Sequence, residues 1–384
     1  MTSFAAIFVP AELRDAVSDE AWLAAMLDAE RALAGAESRV GAIPAAAAAA
    51  IAGACEAGSF DVAALAEEGR AVGNPAEPLV RALRERVGEP HARWVHFGAT
   101  SQDVVDTATV LVARRACGLV GAELDGAAAA CARLVEAHRD TPMAARTLLQ
   151  QAVPTTFGAK AAGWLVGMLV PADRLRAFPF HAQLGGAAGT LAPLGERGSE
   201  VAEAFADELG LALPVLPWHA HRSPLAALGA LLDAVAQACA KVGLDVVLLA
   251  QSEVGEVAES PGGGSSTLPH KRNPAKAVLA RACARLVHAN AGVLAEGGHE
   301  HERAAGAWQS EWTALTEALA HAGGAAAAIR ECLEGLEVSP ERMRGNMRPE
   351  LYAERDRLGL DDPEYLGSAR AHADLALRRY RERQ

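Results

Sequence analysis

Apolar residues recur at helical spacing along most of the chain. From Asp19 to Arg39, the residues Trp22, Leu23, Met26, Leu27 and Leu33 share one side, Ser18 stands where an N-cap belongs, and Glu30 with Arg31 falls to the solvated face. Gly41 and Pro44 end that unit. The alanine run after Pro44 predicts a second helix, and two more are predicted over 62–68 and 79–87, separated by Asn74-Pro75. A polar junction at 96–103 precedes a helical run to about His138, with Thr100, Ser101 and Asp103 all suited to cap it. After a second polar junction, 146–156, Pro154 is expected to open a helix whose apolar side carries Phe157, Trp164, Leu165 and Met168. Between 225 and 250, Leu228, Leu231, Leu232, Val235, Cys239, Val242, Val246 and Leu249 form a near-heptad stripe, and Leu279, Ala282, Leu286, Ala289 and Val293 form another beyond Pro274. From Val338 the chain is charged and broken by Pro340, Pro349 and Pro363. The pattern predicts an all-α protein with a small helical region at 1–95, a central long-helix bundle at 96–335 and a short C-terminal region at 336–384.

Composition sharpens this picture. Hydrophobic residues make up 51% of the 384 but aromatics only 4%, so the core must be Ala, Leu and Val, the material of closely packed helices. Long apolar stripes predict burial on more than one side, hence self-association. A net charge of −12 argues against nucleic acid or an anionic membrane as partner, so cations for an anionic substrate must be gathered locally. The six cysteines are scattered without a CxxC, which fits reduced core thiols of a cytoplasmic protein. No secretory signal or membrane span is expected. His299-Glu300-His301 lacks the i, i+4 spacing of a helical zinc site, and Gly185-Gly186-Ala187-Ala188-Gly189 lacks the strand a dinucleotide loop needs, so neither metal nor cofactor is expected.

The candidate chemistry lies in residues 262–274, Gly-Gly-Gly-Ser-Ser-Thr-Leu-Pro-His-Lys-Arg-Asn-Pro. Three glycines leave one end free to move, and Pro269 and Pro274 preset the other. Ser265 and Ser266 are groups that could transfer a proton, provided that nearby cations such as Lys271 and Arg272 stabilise an alkoxide. The helix start at 100–103, with free N–H groups and hydroxyls, is a ready carboxylate site.

This loop resembles the signature of the fumarase/aspartase superfamily, and the junctions at 96–103 and 146–156 are similar to that family's other two shared regions, in the same order. Within the superfamily, the stretches 95–103, 255–259 and 301–308 resemble the bacterial 3-carboxy-cis,cis-muconate cycloisomerases. The resemblance implies an all-helical homotetramer whose active sites each draw on three subunits, and a small tricarboxylate substrate. It also implies roles: Ser265 as proton carrier, Lys271 and Asn273 as stabilisers of an enediolate, and Ser266 as a substrate-binding residue. For the substrate's carboxylates the candidates are Thr100, Ser101, Gln150, Thr155 and Arg303, then His219, His221 and Arg222, with His96 and Asn74 behind them; packing is an equal alternative for His221, and an ordinary turn for Asn74. The position of Leu148, where amine lyases of the family carry histidine and the cycloisomerases tryptophan, holds a group that transfers no proton. A departing amine must be protonated, whereas a carboxylate adding to a double bond needs neither acid nor base. Leu148 therefore weighs against the first alternative, an adenylosuccinate-type lyase, and fits a cycloisomerase, while intact Ser265, Lys271 and Asn273 speak against the second, a silent scaffold of the same fold. The rapid passage from Met343 to the chain's last segment implies a shortened C-terminal domain.

Overall fold

The computed structural model describes residues 3–260, 262, 264, 268 and 271–383. The N-terminal region holds α1 (Ala11–Ala16), α2 (Asp19–Arg39), α3 (Ala45–Ala54), α4 (Val62–Val72) and α5 (Ala76–Val87). Next come α6 (Ser101–Ala137), a hairpin of β1 (Pro142–Thr147) and β2 (Gln150–Thr156), α7 (Phe157–Arg176) and α8 (Gly198–Leu209). Then follow α9 (Ser223–Leu249), β3 (Val257–Glu259), α10 (Ala275–Leu294), α11 (Ala307–Glu334) and β4 (Leu336–Val338). The chain closes with α12 (Pro340–Asn346), α13 (Ala353–Leu358) and α14 (Ala369–Arg381). The fold is helical, as the pattern predicts, with two two-stranded sheets added, β1 against β2 and β3 against β4.

The bundle is built from α6, α7, α9, α10 and α11, with α10 and α11 packed on each other, α9 against both, and α6 between α7 and α11. Small side chains make the close approach possible. On α11 the run from Ala318 to Ala327 is buried without interruption, and a Cβ on Gly324 would stand 2.3 Å from the Phe8 carbonyl. α2 lies on α6 and α8, and α14 on α7 and α6. At 1.5 Å per residue, the 37 residues of α6 span about 55 Å. α9 and α11 run the same way and α10 returns, so the loops collect at two distant ends.

Several local expectations change. Ser18 Oγ does accept the Ala21 N–H, but Glu30, expected on a solvated face, is buried. Pro154 does not open a helix. It sits in β2 opposite Ala144, beside an irregularity in the ladder where a missing N–H is tolerated, and α7 starts at Phe157 behind Thr156, whose Oγ1 accepts the Ala159 N–H. On α10 the buried side is Ala277, Ala280, Cys283, Ala284, Val287 and Leu294; of the predicted stripe, Leu279 packs partly against the core, while Leu286 (41% exposed) and Val293 (40%) point outward. Alanine and cysteine fill much of the tight interior beside Val287 and Leu294. α9 is long and apolar enough by composition to cross a membrane, a feature the expectation of no span overlooked; here its stripe is buried against α7, α10 and α11. The C-terminal segment, read as charged and broken by prolines, forms beyond Pro363 the 13-residue α14, tied to the bundle by Arg139 to Asp374 (2.7 Å) and Arg383 to Asp125 (2.7 Å).

Glu37 on α2 is fully buried, and neither carboxylate oxygen has a partner among the described residues. Burial, with repulsion from Glu30, pushes its carboxyl up to about 9. Below its ordinary value of 4.5, folded and unfolded chains both hold this proton. As pH rises above that, only the unfolded chain releases it, so stability falls by up to about 1.4 kcal/mol per pH unit until the folded group also ionises. Glu37→Gln is therefore expected to raise the melting temperature at neutral pH, by an amount that grows from mildly acidic to mildly alkaline solution; thermal unfolding across that range checks it, and a gain independent of pH would contradict the assignment.

Candidate active site

At the end where α6 begins, Thr100 caps the helix: its side chain accepts the Asp103 N–H while the Asp103 carboxylate accepts the Thr100 N–H at 3.0 Å. Asp103 also takes the N–H groups of Gly185 (2.8 Å) and Gly186 (2.9 Å) and the ring of His219 (2.7 Å). The glycine segment rejected as a nucleotide loop thus serves as a cradle for a buried carboxylate. Gly186 has φ +68°, and a Cβ there would meet the Gly98 carbonyl at 2.7 Å, so the two loops touch backbone to backbone. Arg303 donates to the carbonyls of Ala187 (3.1 Å) and Gly186 (3.0 Å), which brings residues 299–303 to the same end. Ser101 is half-buried and its hydroxyl has no hydrogen bond among the described residues.

Two expected substrate contacts have other partners here. The Arg222 guanidinium, fully buried, reaches Asp106 at 2.7 and 2.8 Å and Glu311 at 2.6 Å. Trp308 Nε1 donates to Asp106 as well (2.9 Å), and His299 Nε2 lies 3.5 Å from Glu311. Burial pushes the Glu311 carboxyl up even beside Arg222, because two acids share one guanidinium. His219 is buried on Asp103. Arg222 and His219 hold the chain's own carboxylates, since in a site free of water those acids must be paired first. His221 is exposed and bridges to Gly298. Asn74 Oδ1 accepts the N–H groups of Ala76 and Glu77 (both 3.1 Å), a cap for α5. His96, at φ +61°, sits with Nδ1 2.5 Å from Glu30.

The other end holds the hairpin and residues 271–274. Leu148 and Leu149 form the hairpin tip, both at positive φ (+49° and +63°), and Leu148 is 96% exposed. Gln150 is exposed beside them, and Thr155 is half-buried opposite Met143. Arg146 grips the buried Glu256 with two hydrogen bonds (2.9 and 2.6 Å), and Asn346 Nδ2 donates to the same carboxylate at 2.9 Å. Three residues on, Glu259 accepts the N–H groups of Lys276 (3.0 Å) and Ala277 (2.8 Å) and so caps α10. Arg272 donates to the Glu259 carbonyl (3.3 Å) and to Glu337 (3.3 Å). The far side of the loop is thereby tied to β3 and β4, with Lys271 exposed and Asn273 half-buried. Ser265 and Ser266 lie outside the described residues.

Within one chain, therefore, the second and third junctions share an end and the first stands at the other, about 55 Å of α6 away. Sequence reasoning missed Glu30, Asp106, Glu256, Glu259 and Glu311, which read as helix-face or loop acids; each is buried on a specific donor. Only Glu256 and Glu259 had a local sign, their spacing around a short apolar strand. Arg222→Ala should lower stability by about 3–5 kcal/mol, the effect of leaving buried acids unpaired, while the folded fraction keeps the wild-type KM. Thermal unfolding and steady-state kinetics separate the outcomes, and a raised KM with an unchanged melting temperature would return Arg222 to the substrate.

Comparison with known proteins gives the same lineage. A family model described as lyase matches residues 10–288. A 3-carboxy-cis,cis-muconate cycloisomerase of Bradyrhizobium diazoefficiens is 43% identical over 389 residues, 96% of this chain and 86% of that protein. A nitrosuccinate lyase of Streptomyces davaonensis is 48% identical over 351 residues, 86% and 74% of the two chains. The crystal structure of 3-carboxy-cis,cis-muconate lactonizing enzyme from Pseudomonas putida superposes with a TM-score of 0.91 at 36% identity, covering 99% of both chains. The chain belongs to the lyase family, within the fumarase/aspartase superfamily that its loop and two junctions resemble.

Proposed function

We propose that the protein is a 3-carboxy-cis,cis-muconate cycloisomerase acting in the protocatechuate branch of aromatic breakdown. The observation that carries this reading is the nearly end-to-end likeness to an enzyme of that name at 43% identity, with Ser265, Lys271 and Asn273 all present in the loop. In the proposed reaction one carboxylate of the substrate adds to a double bond conjugated with another. A C–O bond forms, charge passes into an enediolate, and a proton from Ser265 completes a C–H bond, giving 4-carboxymuconolactone with no group expelled. Lys271 and Asn273 stabilise the enediolate, each strong contact being worth about 3 kcal/mol in the transition state. Ser266, Thr100, Ser101, Gln150, Thr155 and Arg303 are proposed to hold carboxylates.

The separation of the junctions supports a site shared between copies, with the first junction of one chain meeting the hairpin and loop of others. The outward apolar face of α10, together with exposed Val166 and Val170 on α7, supports a homotetramer in which these helices are covered. The buried free cysteines fit the proposed cytoplasmic setting.

A second reading follows from the 48% identical relative: elimination of nitrite from a nitrosuccinate. Nitrite, a weak base, leaves without a proton, so Leu148 suits this reaction as well as the cycloisomerisation and weighs against amine elimination.

The purified protein is expected to consume 3-carboxy-cis,cis-muconate, followed by its ultraviolet absorbance, and to release no nitrite from 2-nitrosuccinate; nitrite release without lactone would select the second reading. Ser265→Ala should lower kcat by about 10²-fold or more, and wild-type turnover would remove the serine from the mechanism. Co-expressing Ser265→Ala with a variant inactivated at the first junction should restore part of the activity, as only mixed sites can be intact. Activity no higher than the two variants alone would place each site within a single chain.

A further inference from the structure

With Arg222 and His219 engaged by buried carboxylates, the first junction has few cations left for an anionic substrate. Arg303 is one, its guanidinium partly used on two carbonyls. His96 is the other. It lies five residues before α6, at a φ of +61° that a side chain rarely adopts, and only 12% of its side chain is exposed. A residue held in such a conformation is held by its surroundings, and the contact here is to a carboxylate from another element. Glu30 projects from α2 with no exposed side-chain surface, and its Oε1 is 2.5 Å from His96 Nδ1. A carboxylate only accepts, so Nδ1 donates, and Nε2 has no hydrogen-bond partner among the described residues.

We propose that Glu30 is a positioning residue for the reaction: it fixes the His96 ring through Nδ1 and keeps the imidazole protonated, so that Nε2–H offers a cationic donor to a substrate carboxylate. This inference rests on the reading of the first junction as a carboxylate site.

The surrounding charges support it. Burial by itself would push His96 down, but the Glu30 charge and hydrogen bond, with Asp103 of α6 behind them, outweigh burial and the opposing Arg84 of α5, and hold the ring above its ordinary range. The second buried acid of α2, Glu37, stays protonated well past neutrality and so adds no charge of its own there. The two acids of α2 thus play different parts, since Glu30 has the histidine as partner and Glu37 has none among the described residues. In a chain of net charge −12, a buried acid that creates a cation meets the need for local positive charge without another arginine.

The test uses tricarballylate, an unreactive tricarboxylate, as the probe, with binding measured by calorimetry on the full-length protein at about pH 5.5 and about pH 8. Wild-type protein should bind at both. Glu30→Gln keeps the size and an acceptor for Nδ1 but removes the charge, so it should bind normally at the acid pH and about tenfold more weakly at the alkaline one, where the neutral ring no longer offers a charge-assisted donor. The high-pH limb of kcat/KM should move to lower pH in step. Glu30→Asp, which withdraws the charge without abolishing it, should fall between the two and serves in place of Glu30→Gln if that variant does not fold. In a His96→Gln background the Glu30 substitutions should add nothing to the weakened binding. Equal weakening at both pH values, or a Glu30 effect that persists without His96, would overturn the proposal. Should the protein bind tricarballylate in this pH-dependent way yet leave muconate untouched, the substrate assignment fails and the role of Glu30 stands.

Discussion

The constraint on which the molecule depends is the unbroken length of α6. A continuous helix of 37 residues fixes its two ends about 55 Å apart, and the helices packed along it inherit that length. The first junction, the glycine cradle at 185–187 and the segment around Arg303 gather where α6 begins, and the hairpin and residues 271–274 gather where it ends. A chain arranged in this way presents half of a polar constellation at each pole. In the proposed assembly, copies packed side by side along their exposed apolar helix faces would bring unlike poles together, which a single copy cannot.

Each pole is organised by buried acids. Asp103 draws in two backbone N–H groups and His219, Asp106 and Glu311 divide Arg222, Glu256 holds the hairpin through Arg146, and Glu259 caps the helix that follows the serine loop. A carboxylate removed from water must be satisfied, and satisfying it ties together segments distant in sequence. These acids thereby give loops, which have little apolar surface to bury, fixed positions. The same logic explains why two of the basic residues expected at a substrate are already engaged, and why a histidine backed by Glu30 matters more than its place in the sequence suggests.

Much of the architecture was legible in advance. The 3.6-residue spacing located α2, α6 and α9, Ser18 and Thr100 marked helix starts through their hydroxyls, and the paucity of aromatics foretold an alanine-lined bundle. The loop at 262–274 and its neighbours at 96–103 and 146–156 were legible as motifs because their composition differs sharply from the helices around them. The hairpin was not. Leu148 and Leu149 at a tight turn contradict local propensity, and only the pairing of flanking strands holds them at positive φ. Nor was the inward side of α10 legible, since alanine and cysteine fill much of it beside Val287 and Leu294, while Leu286 and Val293 of the expected stripe are left outside.

By itself, then, the sequence determined the helices, their order and the polar segments capable of chemistry, because these follow from local periodicity and from residue types that need no distant partner. Tertiary structure alone decided which charges are spent and which are free: Arg222 and His219 were committed to Asp106, Glu311 and Asp103, and Glu30 was carried from an expected solvated face to His96. The reason is physical. The state of an ionisable group depends on its burial and on its nearest opposite charge, and both are set by residues tens to hundreds of positions away.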